Sequence, residues 1–121
     1  AGVPYILHPL RVTLRVSTPE ARIVAVLHDV VEDSEWTFDG LRAEGFTEEI
    51  LAALDSVTKR EGESYDDYVR RAAANPIGRQ VKLADLADNM DLSRIAEPTM
   101  HDLERMEKYR RAVALLHELG A

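Results

Sequence analysis

The sequence predicts a single all-α domain of six or seven helices. Apolar and polar residues do not alternate over any sustained stretch, and β-branched residues are scattered, so strand signals are nearly absent. Instead, a small polar residue or a proline repeatedly precedes an amphipathic stretch. A length of 121 residues suffices for one hydrophobic core. We expect the domain to span residues 1–121 and to lack the helix that would precede it.

Three helices are predicted in the first third of the chain. Pro9 and Pro19 suit the first turn of a helix, and Thr18 is a good N-cap for the second one. Gly45 would end the third. The predicted ranges are 9–16, 19–31 and 38–44, and the residues expected to be buried on the second helix are Ile23, Val24, Val26, Leu27 and Val30.

Four further helices follow from the same kind of signal. Thr47 caps one over 48–57, and Ser64 with Asp67 resembles a capping box that opens the next, to about 74. Asn75 followed by Pro76 begins a long buried helix that reaches Met90, and Thr99 with Asp102 opens the last, which Gly120 closes. Its apolar stripe is core or a subunit contact, which leaves a homo-oligomer open: Leu103, Met106, Tyr109 or Arg110, Val113 and Leu116.

The composition restricts the classes of partner. A net charge of −7, from 22 acidic and 15 basic residues, argues against binding a nucleic acid over a broad surface. No cysteine is present, so disulfides and thiolate metal sites are excluded. No apolar run approaches the roughly 20 residues of a membrane span, and no signal peptide is visible. We therefore expect a cytoplasmic protein with a small-molecule ligand and no membrane contact.

The chemistry concentrates at the end of the second helix. His28, Asp29, Glu32 and Asp33 follow an apolar run, and their spacing places them on neighbouring faces of a helix. Three carboxylates near a helix C-terminus oppose the macrodipole and repel one another. A cation should compensate for them, and a divalent metal held by adjacent imidazole and carboxylate groups is the simplest candidate.

Two other segments carry ligands of the same type. His8 precedes a helix, and Asp85 lies in an otherwise apolar helix with Asn89 one turn further on. Two histidines and two aspartates make an N2O2 donor set, which suits manganese, iron or zinc better than calcium. Structural roles stay open for each: His8 could cap a helix, His28 could be a core histidine, and Asp85 could pair with Lys82 or Arg79.

The order of these residues resembles the H…HD…D signature of the HD phosphohydrolase superfamily. Four blocks further resemble the hydrolase domain of RelA/SpoT proteins and their small stand-alone homologues. They are PYILHP at 4–9, LHDVVED at 27–33, VTK at 57–59, and VKLAD at 81–85 with DNM at 88–90. Together they cover most of the chain, from Pro4 to about Arg94.

The resemblance implies manganese-dependent release of the 3′-pyrophosphate from guanosine tetraphosphate or pentaphosphate. It implies that the metal ligands are His8, His28, Asp29 and Asp85. Glu32 and Asp33 match the acidic pair assigned to water activation. Asn89 matches a nucleotide-contacting asparagine, and Lys59 and Lys82 are assigned to phosphate.

The sequence departs from the family pattern at two positions. The more usual Ala-Asp-Arg-Leu-x-Asn-Met has Leu86 in place of arginine and Asp88 at the variable position. These changes keep open an HD-fold phosphohydrolase that acts on another nucleotide, such as a nucleoside monophosphate. A non-catalytic sensor or assembly module is a third interpretation. The family's basic pair would fall before Ala1, and no synthetase activity is expected from this chain.

Overall fold

A computed structural model describes residues 7–33, 35–90 and 99–120, without the side chains of Leu7, Asp29, Glu32, Asp33 and Gly120. Seven helices and no strand lie within these ranges, which confirms the predicted all-α class. The helices are α1 (Leu7–Arg15), α2 (Pro19–Asp33), α3 (Phe38–Ala43), α4 (Glu48–Ser56), α5 (Tyr65–Ala74), α6 (Pro76–Asn89) and α7 (Met100–Gly120). None of the described helices combines the length and apolarity that crossing a lipid bilayer requires.

The predicted N-caps are confirmed. Thr47 and Ser64 accept hydrogen bonds from backbone N–H groups in the first turns of α4 and α5. The side-chain oxygen of Asn75 accepts two such bonds at the start of α6. Thr99 and Asp102 form a reciprocal capping box ahead of α7. These short polar side chains satisfy backbone donors that lack a partner within the helix, so the helix starts are encoded locally.

The helix ends differ from the predicted ones by one or two residues. α1 begins at Leu7 rather than Pro9, which places His8 inside its first turn. α2 continues to Asp33, beyond the predicted end at 31. The whole His28-to-Asp33 segment is therefore helical, as the spacing argument assumed.

α6 is the central helix of the domain, since it packs against α1, α2, α4, α5 and α7. One side contributes Val81 and Ala84 to the main core, which is built chiefly from α1, α2 and α4. Leu86 enters a smaller core between α5 and α7. The close approach of α6 to α4 requires a glycine near the start of α6, because a Cβ on Gly78 would lie 1.9 Å from the Ser56 hydroxyl oxygen.

Three residues of the predicted apolar faces are exposed. Ile23 and Val26 are 39% and 45% exposed, because the buried stripe of α2 is set by Ala21, Val24 and the residues one turn further on. Leu103 is 47% exposed, and the α7 residues of the smaller core lie from Tyr109 onward, so for Leu103 the subunit contact stays a prediction. The predicted burial of Ile23 and Val26 is wrong, and the buried face of α2 is narrower than its apolar composition indicates.

Candidate metal centre

His8 on α1 and Asp85 on α6 meet although 77 residues separate them in the sequence. The Nε2 atom of His8 lies 2.9 Å from Oδ1 of Asp85. Asp85 is buried, and the His8 side chain is 14% exposed. The two helices pack against each other along this contact. The fold therefore brings together one predicted ligand from α1 and one from α6.

A second carboxylate holds the other side of the same imidazole ring. Oδ2 of Asp88 lies 2.6 Å from Nδ1 of His8. The Nε–H of Arg11 donates to Oδ1 of Asp88 at 2.7 Å. Asp88 is completely buried, whereas the Arg11 side chain is 28% exposed. His8 is thus fixed between two aspartates that lie one helical turn apart.

Lys82 supports Asp85 from the same helix. Its Nζ donates to Oδ2 of Asp85 at 3.0 Å and to the hydroxyl of Tyr68 at 3.3 Å, and it lies 4.6 Å from the centre of the Tyr68 ring. The Tyr68 hydroxyl in turn donates to the carbonyl of Val57 at 2.7 Å. We refer to His8, Arg11, Lys82, Asp85 and Asp88 as the site network.

The charges of the site network determine the protonation of its members. The hydrogen bond to Asp85, with a contribution from Asp88, raises the pKa of His8 above its ordinary value although burial opposes this. Burial raises the pKa of Asp85, but the hydrogen bond from His8 and the charges of Lys82 and His28 lower it by more, so the net shift is downward. Burial lowers the pKa of Lys82, and the carboxylate of Asp85 more than offsets this. These shifts favour the ionised form of Asp85 and the protonated form of His8.

His28 is buried on α2, and its charge contributes to the lowered pKa of the Asp85 carboxyl. Its assignment as a metal ligand stays a prediction. Asn89 is partly exposed at the end of α6 and donates to Oδ1 of Asp85 at 3.5 Å, which is at the limit for a hydrogen bond. The side chains of Asp29, Glu32 and Asp33 lie outside the described residues, so their assignments stay predictions.

The described part of the site fits a divalent cation in donor chemistry and spacing. Ligands at neighbouring positions around such a cation, each about 2.1 Å from it, are about 3 Å apart. The His8 Nε2 to Asp85 Oδ1 distance of 2.9 Å matches this value. Among the described side chains, no group of three or more histidines and acidic residues could by itself hold an ion.

The predicted phosphate-binding lysines occupy different environments. Lys59 is exposed in the connection between α4 and α5. Lys82 is buried, 6% exposed, and bonded to Asp85, so the structural alternative of an Asp85–Lys82 pair is confirmed. That pair coexists with the His8 contact, because Asp85 uses a different oxygen for each. The assignment of both lysines to phosphate stays a prediction.

Sequence reasoning did not assign Asp88 or Arg11 to the site. Each lies three residues after a predicted ligand, Asp88 after Asp85 and Arg11 after His8, so helical spacing places each on the same face as that ligand. This helical spacing could have been read from the sequence. The contacts between α1 and α6 could not. Leu86, the other departure from the family pattern, is fully buried in the smaller core, where an arginine would place a charge among apolar side chains.

No family model matches the chain. Over 101 aligned residues it is 33% identical to the guanosine-3′,5′-bis(diphosphate) 3′-pyrophosphohydrolase of Aquifex aeolicus, covering 74% of this chain and 14% of that protein. Over 123 residues it is 35% identical to the mouse guanosine-3′,5′-bis(diphosphate) 3′-pyrophosphohydrolase MESH1, covering 89% of this chain and 66% of MESH1. The chain thus spans about one seventh of the first relative and about two thirds of the second.

The fold is also found in a crystal structure of lmo0812 from Listeria monocytogenes EGD-e. The two superpose with a TM-score of 0.65 and 21% sequence identity, and the match covers the whole of both chains. At this level of identity the likeness shows the fold alone. The fold of this chain is therefore shared with a known protein structure.

Proposed function

Because the chain belongs to the HD-domain phosphohydrolase family of the RelA/SpoT type, we propose that it removes the 3′-pyrophosphate from guanosine tetraphosphate or pentaphosphate. One observation carries the proposal: His8 and Asp85, 77 residues apart in the sequence, approach to 2.9 Å. Both residues match metal ligands of the family. The relatives named above are themselves 3′-pyrophosphohydrolases.

The proposed reaction needs a divalent cation, which membership of the family implies, and we propose manganese. His8, His28, Asp29 and Asp85 would hold it. When bound, such a cation supplies Lewis acidity towards a water molecule and a phosphoryl oxygen. The water oxygen forms a bond to phosphorus, the bond from phosphorus to the ribose 3′ oxygen breaks, and a proton restores the 3′-hydroxyl. The products are pyrophosphate and GDP or GTP.

The remaining roles belong to side chains of this chain. Glu32, with Asp33 beside it, accepts the proton from the attacking water or orients that water. Asn89 contacts the nucleotide, and the exposed Lys59 meets the phosphates, where a cation offsets developing negative charge. Lys82 is the second proposed phosphate contact, and its buried Nζ also holds the Asp85 carboxylate at 3.0 Å.

The test is an assay of manganese-loaded protein with guanosine tetraphosphate, in which the released phosphate species is identified. Pyrophosphate and GDP in equal amounts are expected. A second candidate, hydrolysis of a nucleoside monophosphate, is favoured by the buried Leu86, which replaces the arginine of the usual family motif. Orthophosphate from a nucleoside monophosphate, with no turnover of guanosine tetraphosphate, would establish that candidate instead.

Substitution of Glu32 separates catalysis from metal binding. Glu32→Gln keeps the size of the side chain and removes its basicity, so manganese affinity should be unchanged while kcat falls by about 10²–10⁴. Calorimetric titration with manganese and the pyrophosphate assay measure the two effects. Glu35→Gln, at an exposed position three residues further on, is the matched control and should leave both unchanged. Full activity in Glu32→Gln would show that the assigned role is wrong.

A further inference from the structure

Asp88 is the most deeply buried charged side chain of the site network. It is 0% exposed, and its two oxygens face His8 Nδ1 at 2.6 Å and Arg11 Nε at 2.7 Å. Transferring a carboxylate from water to such a position is costly unless hydrogen bonds and an opposite charge compensate. Arg11 provides that compensation from a side chain that still reaches solvent.

Stability alone does not account for this arrangement. A buried ion pair often contributes no more to stability than well-packed apolar residues of similar volume would. The neighbouring core of α6 is apolar at Val81, Ala84 and Leu86, so the fold accommodates apolar side chains on this helix. The feature specific to Asp88 is the ring nitrogen that it contacts, because His8 presents its opposite nitrogen to Asp85.

This geometry fixes the orientation of His8 and places a proton acceptor at its Nδ1. With Nδ1–H bonded to Asp88, the ring cannot rotate without breaking that bond, and Nε2 is directed at Oδ1 of Asp85. A histidine that binds a metal through Nε2 must be neutral there and protonated at Nδ1. A carboxylate that accepts the Nδ1 proton stabilises this form and makes Nε2 a stronger ligand.

We propose that Asp88, held by Arg11, is a positioning residue that prepares His8 to bind a divalent cation through Nε2. This inference rests on the proposed function, since it takes His8 as a metal ligand. It reinterprets the departure at Asp88: the carboxylate faces α1 rather than the nucleotide. His8 and Arg11 on α1, and Asp85 and Asp88 on α6, are each spaced three residues apart, and three hydrogen bonds join the two pairs.

The test compares manganese affinity by calorimetric titration in wild-type protein, Asp88→Asn and Arg11→Gln. Loss of a carboxylate behind a metal-binding histidine typically weakens metal binding 10–100-fold, and we expect this for Asp88→Asn. Arg11→Gln should weaken binding less, in the same direction. Because Arg11 is partly exposed, this variant keeps the question answerable if Asp88→Asn does not fold. Asp66→Asn, at an exposed position on α5, is the matched control and should bind manganese as the wild type does.

A second measurement distinguishes positioning from a general structural effect. Nitrogen NMR of the zinc-loaded protein should show Nδ1 of His8 protonated and Nε2 bound to metal in the wild type, and this pattern should weaken in Asp88→Asn. Equal manganese affinity in folded Asp88→Asn and wild-type protein would overturn the inference and leave the proposed function intact, as would an unfolded Asp88→Asn with wild-type affinity in Arg11→Gln. Failure of the wild type to bind any divalent metal would overturn both.

Discussion

Two of the networks of charged side chains among the described residues are built differently. In the site network, Asp85 and Asp88 converge on opposite nitrogens of one imidazole. In the second network, which we name the clamp, Arg71 donates to both oxygens of Glu63 at 2.6 and 2.8 Å. Other N–H groups of the Arg71 guanidinium donate to the backbone carbonyls of Asp55 and Thr58, each at 2.8 Å.

The clamp has a structural role, whereas the site network carries the residues proposed for catalysis. In the clamp, one guanidinium meets one carboxylate in a two-point contact, and it fixes the connection between α4 and α5 without any further ion. In the site network, two carboxylates share one imidazole ring, and the proposed divalent cation would be a further partner of Asp85 and His8. Substitutions in the site network should therefore affect metal binding and activity, whereas substitutions in the clamp should affect stability.

The largest effect is expected from Asp85→Asn. The substitution leaves the buried ammonium of Lys82 without its carboxylate, which typically costs about 3–5 kcal/mol of unfolding free energy. It should also abolish manganese binding and pyrophosphate release. Adding Lys82→Met removes the unpaired charge and should restore most of the stability, while activity stays lost. Urea unfolding and the product assay measure the two properties separately.

An exposed pair provides the matched control for this substitution. Asp55 contacts Arg60 at 2.8 Å, with side chains 44% and 58% exposed. Asp55→Asn should change the unfolding free energy by less than about 1 kcal/mol, because surface ion pairs contribute little. If Asp85→Asn costs no more than this control, Asp85 and Lys82 do not form the buried pair described above.

The sequence predicted the parts of the fold that short-range interactions determine. The starts of α4, α5, α6 and α7 follow from N-cap side chains that bond to backbone groups two or three residues away. The exposure of Ile23, by contrast, depends on which neighbours α2 meets. Apolar composition alone does not determine that choice, so this part of the prediction was wrong.

The site was predictable only in part for the same reason. The resemblance to the family predicts that His8, His28 and Asp85 share one site, and the structure shows the contact between His8 and Asp85. The assignment of the three as metal ligands stays a prediction. Asp88 looked like an added negative charge, because its two partners lie 77 and 80 residues away in the sequence. A compensating contact over such a separation becomes visible only when α1 and α6 are packed together.

Replacing Arg71 tests whether the clamp is purely structural. Arg71→Lys keeps the charge but loses the planar fork that reaches Glu63 and two carbonyls together, so we expect a loss of about 1–3 kcal/mol in unfolding free energy. Manganese affinity should be unchanged, because the clamp lies outside the site network. KM for guanosine tetraphosphate should rise, since the clamp holds the connection that carries Lys59.

Arg70→Lys is the control for this variant, because it makes the same change at an exposed neighbour on α5. It should leave stability, metal affinity and KM at their wild-type values. Weaker manganese binding in Arg71→Lys would show that the two networks are coupled. An unchanged KM despite the loss of stability would count against Lys59 as a phosphate ligand.

The smallest expected effect concerns the pH dependence of the clamp. The hydrogen bonds from Arg71 lower the pKa of Glu63 to about 2, although desolvation opposes them. A carboxyl with a depressed pKa stabilises the folded state above its unfolded value of 4.5, and this contribution disappears as the pH falls towards about 2. Glu63→Gln should therefore be less stable than wild type at neutral pH, and the difference should shrink over that interval. Urea unfolding between pH 2 and pH 7 measures it, with Glu61→Gln in the same connection as the exposed control. A difference that is constant across this range would mean that the Glu63 carboxylate contributes through packing rather than through its charge.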